Sequence, residues 1–353
     1  MRRQRAVFIF CSLLGLTFIV CVFWRELSMI LITVSSANHV SCYWSGSSGV
    51  MELGQGEWDQ PMLIPSRCIF FHKTTCSSPN LTPRQACAVE SAARNNRNLN
   101  VFLLFLATGQ FSEKSERLVD ILETYNNVYI RRVRLSSYVI DTPIEDWFWA
   151  NIRKLWENHE WLHKDFRDYV RMLTLWKFGG VSLNLNSVVL TSLEELTTFA
   201  GVQDNRDMDI GVFGVDASSS FGRSFADACM EIVKDINADN YSRYNITRIV
   251  TEAVWNLCYQ RNDKECRRFA IYPPEKFYPT SSGSRGLHPN ETRADEMPGV
   301  GRNTMTIHLS NHHRDAEADN AAVYKLAARQ HCPKIYQVAG TSFFSSRNVV
   351  TDA

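Results

Sequence analysis

The apolar positions of this chain fall into blocks with two different periods. Cys68-Ile69-Phe70-Phe71 is a short apolar run of strand type. Pro83 to Asn95 carries Ala86, Val89 and Ala93 at helical spacing. Asn100 to Ala107 is a continuous apolar run of the kind buried on both faces of a sheet. Glu116 to Thr124 reads as a helix, and Val128 to Leu135 alternates as a third strand. Strand, helix, strand, helix, strand predicts an α/β fold with a largely parallel sheet.

Further along, Asp141-Thr142-Pro143 starts a helical section containing Trp147, Trp149, Trp156 and Trp161, whose default role is core. Asp165 to Phe178 predicts a helix stopped by Gly179-Gly180, and Val181 to Leu190 predicts the next strand. Another strand is expected over Asp209 to Val215, with helices over Ser224 to Ile236 and Asn245 to Cys258. From Arg267 onward the pattern reads as irregular, with the run from Pro273 to Pro279 as its clearest landmark. No internal boundary stands out, so residues 67–353 are expected to form one domain.

The N-terminal pattern differs from all of this. Arg2, Arg3 and Arg5 precede an uncharged apolar stretch from Ala6 to Trp24, closed by Arg25 and Glu26. That length approaches the ~20 residues a membrane-spanning helix needs. The arginines favour a cytosolic N-terminus. The expected organisation is a cytosolic tail (1–5), a signal anchor (6–24), a stem (25–66) and a lumenal domain. A cleaved signal peptide is the other reading, because Ser35, Ser36 and Ala37 would suit a cleavage site.

Composition adds compartment and excludes one partner class. With 353 residues, 45% hydrophobic and a formal net charge of +1, the chain can bury a large core, and its near-neutral balance gives no general reason to expect nucleic acid as a partner. Cys11 and Cys21 lie in the apolar stretch, leaving Cys42, Cys68, Cys76, Cys87, Cys229, Cys258, Cys266 and Cys332 for an oxidising lumen. Connectivity is not readable from sequence. Close spacing favours Cys258 with Cys266, then Cys76 with Cys87. Asn240, Asn245 and Asn290 open glycosylation sequons, and Asn80 opens a weaker one followed by Pro83.

Candidate chemistry centres on Asp168 and Arg171, three apart on one helix face, and on the strand that follows Gly179-Gly180. A carboxylate and a basic fork at a strand end can hold a ribose hydroxyl and a diphosphate. On spacing alone an ordinary surface salt bridge is the preferred reading of the pair.

The wider motif series resembles the Golgi α1,4-glycosyltransferases. The series is Phe70-Phe71; Cys87-Ala88-Val89-Glu90-Ser91-Ala92-Ala93-Arg94; Asp141-Thr142-Pro143 with Trp147; Asp168-x-x-Arg171; Leu175-Trp176-Lys177-Phe178-Gly179-Gly180; Pro273-Pro274-Glu275 with Phe277-Tyr278-Pro279; and His308-Leu309-Ser310-Asn311. It runs in order from about Cys68 to about Pro333.

That resemblance implies a GT-A type, Rossmann-like nucleotide-sugar-binding domain behind a single N-terminal transmembrane helix. It implies a UDP-sugar donor, Mn2+, and retaining α1,4 transfer of galactose or N-acetylglucosamine to a galactose-terminated glycolipid or glycoprotein in the Golgi. By the same resemblance Asp168, Arg171 and His308 contact the nucleotide sugar. Asn184 and Asn186 stand where the family has its two metal-binding aspartates, Lys73 where it has an acid, and Ser310 where it has a Trp.

Amide oxygens are poor ligands for a hard divalent cation. Two outcomes are therefore expected from the sequence: a transferase with impaired turnover, or a catalytically silent paralogue that partners an active glycosyltransferase. Lys73 could instead supply the positive charge that the metal would have brought.

Overall fold

The computed structural model describes residues 53, 66–74, 79–106, 110–156, 166–202, 211–237, 240, 244, 246–260, 264–279, 300–308, 317–340 and 343. The expected anchor, Cys76, Asn245, Asn290 and the Trp161 region lie outside them. No helix among the described residues is long and apolar enough to cross a membrane.

Strands β1 (Cys68–Lys73), β2 (Asn100–Phe105), β3 (Val128–Arg132) and β4 (Gly180–Leu183) run parallel, in the spatial order 3-2-1-4. Beyond β4 the sheet continues through β7 (Val212–Val215), which is antiparallel, to β6 (Phe199–Gly201) and β8 (Ala270–Tyr272). The α/β expectation with a mostly parallel sheet is therefore met. Adjacent residues of β1 feed opposite cores: Cys68 and Phe70 pack on one face, Ile69 and Phe71 on the other. A strand buried on both faces needs the unbroken apolar run its sequence displays.

The helices sort by face. Helix α1 (Pro83–Asn95) packs with the core that takes Ile69 and Phe71. Its start is a capping box: Thr82 Oγ1 accepts the Gln85 N–H at 3.3 Å while Gln85 Oε1 accepts the Thr82 N–H at 3.0 Å, with Pro83 opening the helix. Helix α2 (Glu113–Glu123) lies on the same face. The opposite core takes α3 (Leu135–Tyr138), α4 (Glu145–Trp156), α5 (Phe166–Phe178), α6 (Ser220–Lys234) and α7 (Ile246–Trp255). Trp147 is buried there, its indole N–H donating to the Ile236 carbonyl at 2.5 Å, and Trp149 packs against the same cluster. Both tryptophans are core.

Gly179 and Gly180 turn the chain from α5 into β4, with φ of 66° and 92°. A side chain at 180 would sit 2.3 Å from the Cys68 carbonyl oxygen. Only glycine permits both the left-handed backbone and this approach to β1.

Three expectations need correction. The strand expected over Val181 to Leu190 is two strands: β4 ends at Leu183, and β5 (Ser187–Val189) leaves the main sheet to pair with β9 (Thr306–His308). Asn184 causes the break, since its Oδ1 accepts the Asn186 N–H at 3.1 Å in a side-chain-closed turn.

The region after Arg267 is not irregular. It contributes β8, β9, α8 (Pro274–Phe277), α9 (Glu317–His331) and α10 (Pro333–Ala339). Within α9 alanines and polar residues are too evenly mixed to advertise a face.

Cys87 pairs with Cys332, 245 residues away, rather than with Cys76. The bond ties the turn between α9 and α10 to α1, a tertiary contact that spacing arguments cannot reach. Cys258 and Cys266 form the disulfide that close spacing favoured.

Candidate functional site

The chain lays β2 and β3 on one side of β1 and then returns to place β4 on the other. Ligands of parallel α/β sheets bind outside the carboxyl ends of the strands at such a reversal. Here those ends are Lys73 on β1 and Leu183 on β4, and a pocket opens between them. It is lined by His72, Lys73 and Thr74 after β1, by Leu183 to Asn186 after β4, and by Gln85, Arg167 and Arg171 from the neighbouring helices.

Arg171 is almost fully buried, and its guanidinium is held on three sides. Nε donates to Ser182 Oγ at 2.8 Å, Nη1 to Asp168 Oδ1 at 3.2 Å, and Nη2 to the Gly211 carbonyl at 3.1 Å. The ring of Phe213 lies 5.2 Å from the guanidinium carbon. Asn184 N–H donates to the same Gly211 carbonyl at 3.0 Å, so Arg171 and the Asn184 turn share one anchor. Asp168 also faces Arg167, whose Nε is 3.7 Å from its Oδ1. The carboxylate is thus occupied by two guanidinium groups.

His72 carries a tautomer that its neighbours dictate. Tyr138 donates to Thr174 Oγ1 at 2.9 Å, and the Thr174 hydroxyl donates to the Val170 carbonyl at 2.8 Å. With its proton committed, Thr174 can only accept from His72 Nε2, 2.9 Å away. Nδ1 is then the unprotonated nitrogen, and among the described residues no partner meets it. Burial holds His72 well below the usual histidine range, and the charges of Arg171 and Arg167 push it further down. Both effects favour the neutral ring.

Arg171, Asn184 and Asn186 therefore come together at one pocket, with Asp168 bound behind Arg171. His308 arrives from far along the chain: β9 pairs with β5 so that His308 lies opposite Ser187, next to Asn186. Its ring is 5.7 Å from that of Tyr278. Among the proposed glycosylation sites, Asn240 is half-buried, with its side chain bonded to Asp235 O at 2.9 Å and to Asn237 N–H at 2.8 Å. Sequence reasoning missed His72, Gln85 and Arg167. For His72 the signal was its place at the carboxyl end of the first predicted strand, directly after Phe70-Phe71.

The donor set does not fit a divalent cation. Among the described residues that line it are three cationic side chains and no carboxylate. The Asn184 amide oxygen, a neutral ligand, already accepts the Asn186 N–H. Among the described residues no group of three His, Cys, Asp or Glu side chains converges to hold a metal ion. A hard cation requires anionic or multiple oxygen ligands, and this cluster supplies positive charge instead.

A mostly parallel sheet with a polar pocket at its switch point places the chain in the α/β class. Residues 218–339 match the family described as "Alpha 1,4-glycosyltransferase conserved region". The lactosylceramide 4-alpha-galactosyltransferase of Gorilla gorilla gorilla is 26% identical over 282 residues, covering 77% of this chain and 83% of that protein. The Homo sapiens enzyme of the same name is 25% identical over 281 residues, covering 77% of each.

Two solved structures show lower likeness. A galactosyltransferase LgtC in complex with donor and acceptor sugar analogs has a TM-score of 0.36 at 14% identity, covering 74% of this chain and 95% of its own. The apo glycosyltransferase GlyE of Streptococcus pneumoniae TIGR4 has a TM-score of 0.41 at 11% identity, covering 76% and 64%. The sequence matches agree with the resemblance: the chain is similar to the α1,4-glycosyltransferases.

Proposed function

We propose that this protein is a Golgi type II membrane glycosyltransferase whose switch-point pocket takes a UDP-sugar. It transfers galactose or N-acetylglucosamine in α1,4 linkage to a galactose-terminated glycolipid or glycoprotein. In the reaction the bond from the anomeric carbon to the diphosphate breaks and one to the acceptor hydroxyl forms. The hydroxyl proton passes to the phosphate oxygen that is released. One observation carries the reading: β1, β4 and α5 bring Lys73, Arg167, Arg171 and the Asn184–Asn186 turn to one polar pocket at the sheet reversal. A GT-A type use of this sheet follows from the same placement.

The test is direct. The full chain, solubilised in detergent, is incubated with UDP-galactose or UDP-N-acetylglucosamine and a galactose-terminated glycolipid, and the product is read by mass spectrometry. A new α1,4-linked hexose is expected. UDP binding without any product from either donor would overturn transfer.

That second result would favour the silent-paralogue reading, a lumenal partner of an active transferase. It is supported by Asn184 and Asn186 standing where the family has its acids.

A further inference from the structure

We propose that His72 is a specificity residue of the pocket at the carboxyl ends of β1 and β4, its Nδ1 accepting a hydrogen bond from a neutral O–H or N–H donor of the nucleotide sugar. The inference rests on the nucleotide-sugar reading above and adds to it a residue that selects the ligand.

Three observations carry it. The first is place. His72 is the next-to-last residue of β1, is only 4% exposed, and lines the pocket together with Thr74, Asn184 and Asn186. β1 is paired with β2 on one side and β4 on the other, so the backbone that carries this ring is held from both edges.

The second is the proton. Nε2 lies 2.9 Å from Thr174 Oγ1, whose hydroxyl donates to the Val170 carbonyl and accepts from Tyr138. A threonine hydroxyl has one proton and two lone pairs, so this bond holds only with Nε2 protonated. The other tautomer would set lone pair against lone pair. The ring is thereby kept in one form, with its free lone pair on Nδ1.

The third is what Nδ1 lacks. It is shielded from solvent, and among the described residues no donor reaches it. Buried acceptors are almost always satisfied, and an exception on the wall of a pocket marks a place where something bound there completes the set.

The chemistry of that partner follows. A neutral imidazole lone pair accepts from a hydroxyl or an imide N–H and is repelled by another acceptor. The phosphate oxygens of a nucleotide sugar carry no proton, which excludes the diphosphate. A metal ion needs companion ligands, and among the described residues no group of three His, Cys, Asp or Glu side chains converges. The imide of the base, the ribose hydroxyls and the hexose hydroxyls are the donors that remain.

Two substitutions separate this role from a structural one. In His72→Asn the amide oxygen stands near the place of Nδ1, but the side chain falls short of Thr174. In His72→Gln the amide reaches the place of Nε2 and keeps a donor for Thr174, with no acceptor at Nδ1. Stability should therefore rank Gln above Asn, and affinity Asn above Gln.

The test is calorimetric titration of the full chain in detergent, in EDTA and with Mn2+, alongside urea midpoints. The ligands are UDP, UDP-galactose, UDP methylated on the imide nitrogen and UDP analogues lacking one ribose hydroxyl. His72→Gln is expected to weaken UDP-galactose about tenfold, the scale of one buried hydrogen bond left unmade, and His72→Asn by less. The source of the donor is read from the ligand whose deletion costs the parent but not His72→Gln. Methylated UDP names the base and a deoxy analogue the ribose, while a loss confined to UDP-galactose names the hexose. Equal affinity in the parent and His72→Gln for UDP and UDP-galactose overturns the role of His72 and leaves the nucleotide reading standing. A loss that follows the urea midpoint, with Asn weaker than Gln, does the same. No binding of either ligand by the parent, with or without Mn2+, overturns both.

Discussion

Arg171 Nε donates to Ser182 Oγ at 2.8 Å, and this bond locks α5 to β4 one residue before the strand ends. Because the guanidinium also takes Gly211 and Asp168, one side chain ties together α5, β4 and the entry to β7. Residues 168 and 171 were expected to touch the nucleotide sugar. The geometry shows how much of Arg171 goes to holding the floor of the pocket.

Arg171→Met is therefore expected to destabilise the fold. It would leave Asp168 to Arg167 alone, take the Arg171 donor from Ser182 and leave the Gly211 carbonyl with only the Asn184 N–H, a loss of about 3 kcal/mol when a buried pair is broken on one side. A urea unfolding midpoint measures it. A midpoint unchanged from the parent would mean that Arg171 is a ligand contact with little structural weight.

Much of this arrangement was legible beforehand, for reasons that differ by element. The parallel strands announced themselves because strands buried on both faces need unbroken apolar runs, as in Cys68 to Phe71 and Val101 to Leu106. Helix Pro83–Asn95 was legible to the residue, since Thr82, Pro83 and Gln85 form a complete capping signal. What stayed hidden was non-local. The split of Val181 to Leu190 depends on a side-chain-closed turn and on β9, which lies more than 100 residues further on. The Cys87–Cys332 bond requires α10 to dock on α1, and the evenly mixed sequence of α9 gave no hint of that. In the site, Asn184 and Asn186 were found by motif position. His72 and Arg167 become meaningful only once the strand order is known.

Stability should fall on acidification, and His72 sets the direction. Its folded-state value lies well below the ordinary one because of burial and the nearby Arg171 and Arg167. As pH drops, the unfolded chain takes up the proton first, so the contribution is intact above about 6.5 and declines below it. His331 shifts the same way, through burial and then Arg94, and its Nδ1 accepts from Asn95 at 3.2 Å. Each group adds a slope of up to about 1.4 kcal/mol per pH unit until its folded value is passed. Urea midpoints between pH 7.5 and 5 should be less pH-dependent in His72→Gln than in the parent. Parallel pH profiles would contradict the assignment of a buried neutral His72.

Glu90 makes a second buried tie, at the C-terminal end of the domain. Its carboxylate caps α10 by accepting the Lys334 N–H at 3.1 Å and the Ile335 N–H at 2.8 Å, and it takes the Tyr125 hydroxyl at 2.5 Å. Negative charge at a helix N-terminus is favourable, and here it is desolvated as well. Glu90→Ala should cost about 3 kcal/mol, given three donors left without an acceptor in the interior. Cys332→Ser, which opens the covalent tie one turn away, should cost about 4 kcal/mol for so long a loop. Both fasten α10 to α1, so the double variant should lose less than the sum. Chemical denaturation of the four proteins measures the coupling, and strict additivity would show that the two ties act independently.

Restoring the family's acids tests the electrostatics from the other side. The Asn184 oxygen is used by the turn, and a carboxylate at that position would keep this bond while presenting its second oxygen where the amide now has NH2. Asn184→Asp with Asn186→Asp therefore adds two negative charges to a pocket that Lys73, Arg167 and Arg171 also line. Two outcomes should appear together. UDP affinity in EDTA should fall at least about tenfold, as the added charges repel the diphosphate. Mn2+ should then restore it, since a hard ion now has anionic oxygens to bind. Titration of the double variant with UDP, with and without Mn2+, measures both. If metal-free affinity survives the two added charges, the attraction in this pocket does not come from its cations.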